Sequence, residues 1–300
     1  MRRLYLALSL LAALPLAAQD FSAVEVKATK VAGNIYMLTG AGGNIGVSVG
    51  NDGIVMVDDQ YAPLAPKIEA ALKSITDKPL RFIINTHYHG DHTGGNEHFG
   101  KTAPIVAHEN VRKRLSSTVT RLGSTIPPAP AGALPIVTFN DTLTIHLNGE
   151  DVRAVHMPHG HTDGDSVIWF TQSNVVHMGD DYFVDAYPYV DRENGGSVRG
   201  LISNIEKVLS VVPDDAKIIP GHGPLSDKAG LRRFLDMLRG TLSAVEKGVA
   251  AGKSLEQLKS ENVLAQWDSF GKGFIKTDFW IQTLHGEVST PAPRVREHKH

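Results

Sequence analysis

Three histidines and an aspartate fall within six positions, His87-Tyr88-His89-Gly90-Asp91-His92. Neutral imidazole and carboxylate are the ligands that a borderline cation such as zinc takes where thiolate is absent, and the chain contains no cysteine. In a tight turn His87 and His89 can face one way while Asp91 and His92 reach a point a few ångströms off. Gly90, Gly94 and Gly95 leave the backbone room to fold closely around them. The competing reading is a set of loop histidines without a ligand. It has to account for several polar groups that are costly to bury unpaired.

This run resembles the His-x-His-x-Asp-His signature of the metallo-β-lactamase superfamily, and the resemblance extends from about Asn34 to His222. It implies an α/β fold, a four-layer αββα sandwich with two sheets face to face and helices outside. It also implies three later ligands. His161 stands in Pro158-His159-Gly160-His161-Thr162, Asp180 in Met178-Gly179-Asp180, and His222 in Pro220-Gly221-His222-Gly223. Taken singly, a His between glycines can be a turn residue and an Asp after a strand a cap; in family order they form a set. The set implies His87, His89 and His161 on one metal and Asp91, His92 and His222 on the other, with Asp180 shared. Asp58 resembles the acid that holds a ligating group in place, with Asp59 as its competitor.

Two zinc ions are the implied cofactors, and the same ligands also suit iron or manganese. A metal-bridging hydroxide would then be the nucleophile, with Asp91 as catalytic proton carrier and a residual formal charge of about +1 to attract an anionic group. The implied reaction is hydrolysis of an acyl-type bond: lactone, ester, thioester or β-lactam. The cysteine-ligand β-lactamases carry a substrate-binding lysine three residues after their metal-binding cysteine, where this chain has Phe183, so β-lactam hydrolysis is expected to be weak. Arg121, Arg192 and Arg199 are the cations that could replace that lysine. The alternatives are an iron-dependent oxidoreductase on the same scaffold and a non-catalytic periplasmic metal-binding protein. The latter is expected to have lost ligands, and none is missing here.

The elements that must position these residues are legible in part. Ile45–Val49 and Ile54–Val57 flank the turn Asn51-Asp52-Gly53 as a hairpin. Ile68, Ala71, Leu72 and Ile75 recur at helical spacing, and Arg81–Asn85 is a short strand that delivers the chain to the histidine cluster. Ile136–Phe139, Leu143–Leu147, Val152–Val155, Val167–Phe170 and Val175–Met178 read as strands. Ser197–Val211, Lys228–Val249 and Thr277–Val288 read as helices, and Ser254 with Gln257 as a capping box. The segments Leu122–Pro135 and Phe183–Ser197, with Tyr182, Phe183, Tyr187 and Tyr189, are expected to line the mouth of the site. They suit an anionic, partly apolar small-molecule substrate. His159 belongs to the wall of the site at most, while His98, His108, His146, His156, His177 and His285 are read as packed or surface residues.

Arg2 and Arg3, an apolar run from Leu4 to Leu14 and small residues ending at Ala18 form a signal-peptide layout over residues 1–18. Pro15 and Gln19 end the run before the roughly 20 residues that a membrane span needs. Residues 19–290 are expected to form the domain, helical from about 228, followed by a disordered tail at 291–300 that carries His298 and His300. A periplasmic or secreted protein without a lasting membrane anchor follows. Of 30 basic and 32 acidic residues, the leader removes two arginines. No basic stripe remains, which argues against nucleic acid as a partner.

Overall fold

The computed structural model describes residues 20–289; the expected leader and tail, with His298 and His300, lie outside the described residues. The first sheet has seven strands in the order β1 (Lys27–Ala32), β2 (Ile35–Thr39), β3 (Ile45–Gly50), β4 (Gly53–Val57), β5 (Leu80–Ile84), β6 (Ile105–His108) and β9 (Val137–Phe139). Between β6 and β9 a separate hairpin, β7 (Val119–Arg121) and β8 (Ser124–Ile126), stands apart. The second sheet runs β10 (Thr142–Leu147), β11 (Glu150–His156), β12 (Ser166–Phe170), β13 (Val175–His177), β14 (Lys217–Ile219) and β15 (Ser226–Asp227). The helices are α1 (Ala65–Ile75), α2 (Gly90–Thr93), α3 (Asn96–Phe99), α4 (Glu109–Leu115), α5 (Val198–Val211), α6 (Lys228–Ala250), α7 (Leu255–Ser260) and α8 (Thr277–Ser289).

The residues expected as strands and helices form them to within a residue or two, and the capping box at Ser254 and Gln257 is present. Sequence reading does not find β1, β2, β6 or the hairpin that overlaps the start of the expected mouth loop. They are short or polar, and their pairing partners, not their own patterns, make them strands.

Three apolar layers define the sandwich. Between the sheets, Ile35, Val55, Val57 and Ile84 meet Val152, Ala154, Ile168 and Phe170. The outer face of the first sheet packs on Leu64, Ile68 and Leu72 of α1 and its approach. The outer face of the second is covered by Val198, Leu201, Ile205 and Val208 of α5, with Leu231, Phe234 and Leu238 of α6 behind. Apart from Ala154, each such side chain contributes about 1.5–3 kcal/mol of burial. Ser197 caps α5 by accepting from the Gly200 amide at 3.2 Å. The buried Trp280 pins α8 to α6 by donating its indole N–H to Thr241 Oγ1 at 3.1 Å. Among the described residues no helix is long and apolar enough to cross a membrane.

β4, β5 and β6 run parallel, as do β13 and β14. Their carboxyl ends, together with the start of the antiparallel β12, open on one edge of the sandwich. Asn44 ties the two sheets there, donating its amide to Gly221 O at 2.8 Å and its side chain to the carbonyls of Pro220 and Gly223, both at 2.9 Å. Ligands gather at such an edge because strand ends present residues without a neighbour beyond them.

Candidate metal centre

Each of the seven expected ligands follows a strand end or precedes a strand start. His87, His89, Asp91 and His92 come after β5, His161 before β12, Asp180 after β13, and His222 after β14. The structure brings them into two groups, His87, His89, His161 and Asp180, and Asp91, His92 and His222, with the ligand atoms of each group within 4.8 Å of one another. Asp180 faces both. Its Oδ2 lies 3.5 Å from His161 Nε2 and 3.8 Å from His87 Nε2, and its Oδ1 lies 3.1 Å from His92 Nε2 and 3.4 Å from His222 Nε2. His222 Nε2 is in turn 3.3 Å from Asp91 Oδ2.

The donor atoms suit divalent cations. His87 Nε2 and Asp180 Oδ1 are buried without a hydrogen-bond partner, which is costly unless something charged occupies the space between them. Burial keeps the imidazoles of His87 and His89 neutral, with a lone pair free on each: His87 is pushed well below its usual range and His89 down to about 4. Burial would also lower His92 and His222, but the carboxylates of Asp180, Asp58 and Asp91 outweigh it. His92 is carried well above the usual range and His222 up to about 9. Two cations would take the place of those protons.

Outer contacts orient the rings. Asp58 accepts from Thr86 N and Thr86 Oγ1, both at 2.7 Å, and lies 2.7 Å from His92 Nδ1, so His92 presents Nε2 to the site. Asp58 adopts a left-handed backbone, φ 63°, to aim that carboxylate. Its competitor Asp59 turns away and accepts from the Gly95 amide at 2.8 Å. His161 is fixed through Nδ1, 2.6 Å from Tyr189 O.

Sequence reasoning missed the most heavily bonded of these groups. Asp191, fully buried, lies 2.9 Å from His89 Nε2, accepts from Tyr88 O–H at 2.5 Å and from Asn194 Nδ2 at 3.0 Å. Burial would raise its carboxyl, but these donors, His89 first, hold it at about 2. A carboxylate can only accept here, so His89 donates from Nε2 and presents Nδ1, which lies 2.8 Å from His161 Nε2. Asp191→Asn is expected to weaken metal binding at the first group about 10- to 100-fold, read by competition with a chromophoric chelator. Affinity equal to wild type would show that Asp191 does not orient His89.

A cavity of about 500 Å³ opens over the two groups. It is lined by His89, Asp91, His161, Asp180 and His222, by the expected Phe183, Tyr187 and Tyr189, and by Arg121 and Leu122. Two expectations fail, and His159, placed at the wall of the site at most, does not reach it. Tyr182 is buried beneath, its hydroxyl 2.7 Å from Ser226 Oγ and its ring against Phe234, because the chain turns inward there to cover β14. His159 is exposed and points away, with Nδ1 3.0 Å from Gly195 O. Leu122 alone of Leu122–Pro135 reaches this cavity; Ile126 to Ala133 line a different hollow beside Tyr88. The histidines read as packed or surface residues stay outside the cavity: His98 pairs with Glu69, His146 with Asp151, and His108 stacks on His156 at 3.6 Å.

Residues 29–222 match the model of the metallo-beta-lactamase superfamily. The chain belongs to that superfamily. It is 32% identical over 171 residues to an uncharacterized protein of Mycobacterium tuberculosis (strain ATCC 25618 / H37Rv), covering 53% of this chain and 75% of the relative. It is 24% identical to the metallo-beta-lactamase type 2 of Bacteroides fragilis, over 58% of this chain and 70% of that one. To the hydroxyacylglutathione hydrolase of Prochlorococcus marinus (strain NATL1A) it is 25% identical, over 59% and 64%. Among solved structures, a metallo-beta-lactamase from Pontibacter korlensis superposes with a TM-score of 0.60 at 19% identity, covering 72% of this chain and 99% of the other. An inverting sec-alkylsulfatase from Pseudomonas sp. gives 0.65 at 14% identity, covering 87% and 50%. Both share the fold.

Proposed function

We propose that this protein is an exported metal-dependent hydrolase that adds water to an acyl-type bond, a lactone, ester, thioester or β-lactam, with two zinc ions as its working cofactors. The observation that carries the reading is Asp180, one oxygen toward each ligand group, in the floor of a cavity wide enough for a small molecule. Two divalent ions, when bound, supply Lewis acidity to an acyl oxygen and acidity to water. The chain supplies the rest. Asp91 borders the cavity with a partly exposed carboxylate. Burial would raise it, but His92 and His222 hold it below the usual carboxylate range, so it stands as a carboxylate that can accept the proton released by the attacking water and relay it to the departing group. Phe183, stacked on His222 with ring centres 5.0 Å apart, brings no charge to the place where a lysine would bind a β-lactam carboxylate.

The names of the Bacteroides and Prochlorococcus relatives support acyl hydrolysis. The signal-peptide layout at residues 1–18 supports export to the periplasm or medium.

Metal analysis followed by a substrate panel on the same preparation tests the reading. Two equivalents of zinc per chain are expected, with kcat/KM for an activated lactone or thioester above that for a chromogenic cephalosporin; a phosphodiester and an alkyl sulfate serve as controls. Two bound equivalents with no acyl hydrolysis would overturn it. Iron with an oxidised product would establish the oxidoreductase instead.

A further inference from the structure

Among the described residues five large apolar side chains stay exposed, and two of them, Leu122 and Phe274, flank the mouth of this one cavity. Leu122 sits at the tip of the β7–β8 hairpin with φ 50°, followed by Gly123 with φ 73°. A two-residue turn of this kind favours asparagine and glycine; leucine in a left-handed conformation costs about 1–2 kcal/mol. The fold therefore keeps a strained, exposed leucine where a polar residue would sit more easily, and its side chain reaches the cavity.

The residue before it is Arg121, the last of β7. Other arginines near this edge are engaged: Arg114 with Asp163 at 2.6 Å, Arg192 with Glu287 at 3.4 Å and Gly286 O at 2.9 Å, and Arg199 with Glu246. Among the described residues the Arg121 guanidinium forms no ion pair or hydrogen bond, and Arg121 lines the cavity. Of the three cations that could replace the missing lysine, it alone faces the site. The hairpin is not loose, because Asn194 donates to Thr120 O at 2.8 Å while its same side chain supports Asp191. The carbonyl next to Arg121 is thus anchored to the loop that orients His89.

We propose that Arg121 and Leu122, with Phe274 and Ile275 from the segment before α8, form a recognition subsite for an amphiphilic carboxylate. The guanidinium takes the carboxylate and the three apolar side chains take a hydrocarbon chain. Calling that ligand the substrate rests on the hydrolase reading, but the subsite itself is measured by binding alone.

The test is calorimetric titration of the zinc-loaded protein with octanoate and, as a neutral partner of equal chain length, 1-octanol. Arg121→Ala should weaken octanoate about tenfold, 1.4 kcal/mol, and change octanol less than about twofold; Arg121→Lys should retain most of the difference. Leu122→Asn, suited to the left-handed turn, should weaken both ligands alike with an unchanged or higher Tm. A purely structural role for the tip would lower Tm instead. No octanoate binding to wild type, or an octanoate affinity untouched by Arg121→Ala because the carboxylate sits on the metals, overturns the proposal. A protein that binds octanoate through Arg121 yet hydrolyses no acyl substrate keeps this inference and loses only the hydrolase reading.

Discussion

Replacing Asp91 with alanine is expected to lower kcat by about 10²- to 10⁴-fold, the usual range for a lost proton-transfer group, with no recovery in excess zinc. His89→Ala is expected to lose activity comparably at trace zinc and to recover part of it as zinc is added. The two differ because of where they stand. His89 is buried in the first group, where His87, His161 and Asp180 remain to hold a cation more weakly, and mass action can refill a weakened site. Asp91 belongs to the smaller group with His92 and His222, and it also borders the cavity. On the proposed mechanism, zinc can restore occupancy but cannot replace a missing proton carrier. The measurement is kcat against free zinc for both variants, with bound metal quantified in parallel. Equal rescue would remove the proton-carrying role from Asp91 and leave it a ligand only.

What could be read from the residues alone follows the distance over which each part of the site is encoded. His87 to His92 lie in one turn, so their types and spacing suffice. His161, Asp180 and His222 sit at strand ends, and the short apolar runs that precede Asp180 and His222 are visible even though the packing of the two sheets is not. Asp191 carries no such signal. It lies in an irregular stretch, and its contacts with Tyr88 and His89 close over about a hundred residues of chain. Tyr182 and Tyr189 look alike in a loop rich in aromatics, yet one is buried beneath the second sheet and the other lines the cavity. Arg121 was recognisable as a cation but not as the one facing the site, since its placement depends on a hairpin whose strands have only three residues each.

The glycines give the second large effect. Gly90 lies inside the signature and is read there as leaving room for tight folding, yet a Cβ at this position would meet nothing within 4 Å. It opens the helical turn of α2, so Gly90→Ala is expected to leave metal binding intact and to add up to about 1 kcal/mol of stability. Gly221 shows no spacing signal beyond its neighbour His222. A Cβ there would stand 2.0 Å from Asp180 Oδ1 and 2.3 Å from Gly179 O. Neither side yields without loss. The Gly221 amide donates to Tyr182 O at 3.0 Å, its carbonyl accepts from Asn44 N at 2.8 Å, and Gly179 already holds a left-handed turn at φ 53°. The close approach of this backbone to Asp180 is what lets one carboxylate face both ligand groups. Gly221→Ala must therefore shift Asp180 or His222, and overpacking of this kind costs about 1–3 kcal/mol, or roughly 2–12 °C in Tm at about 2–4 °C per kcal/mol for a protein of this size class. Loss of at least one zinc equivalent should accompany it. Metal content and thermal unfolding of the two variants, measured side by side, decide the matter: a Gly221→Ala protein with full zinc and wild-type Tm would show that Asp180 does not depend on this contact.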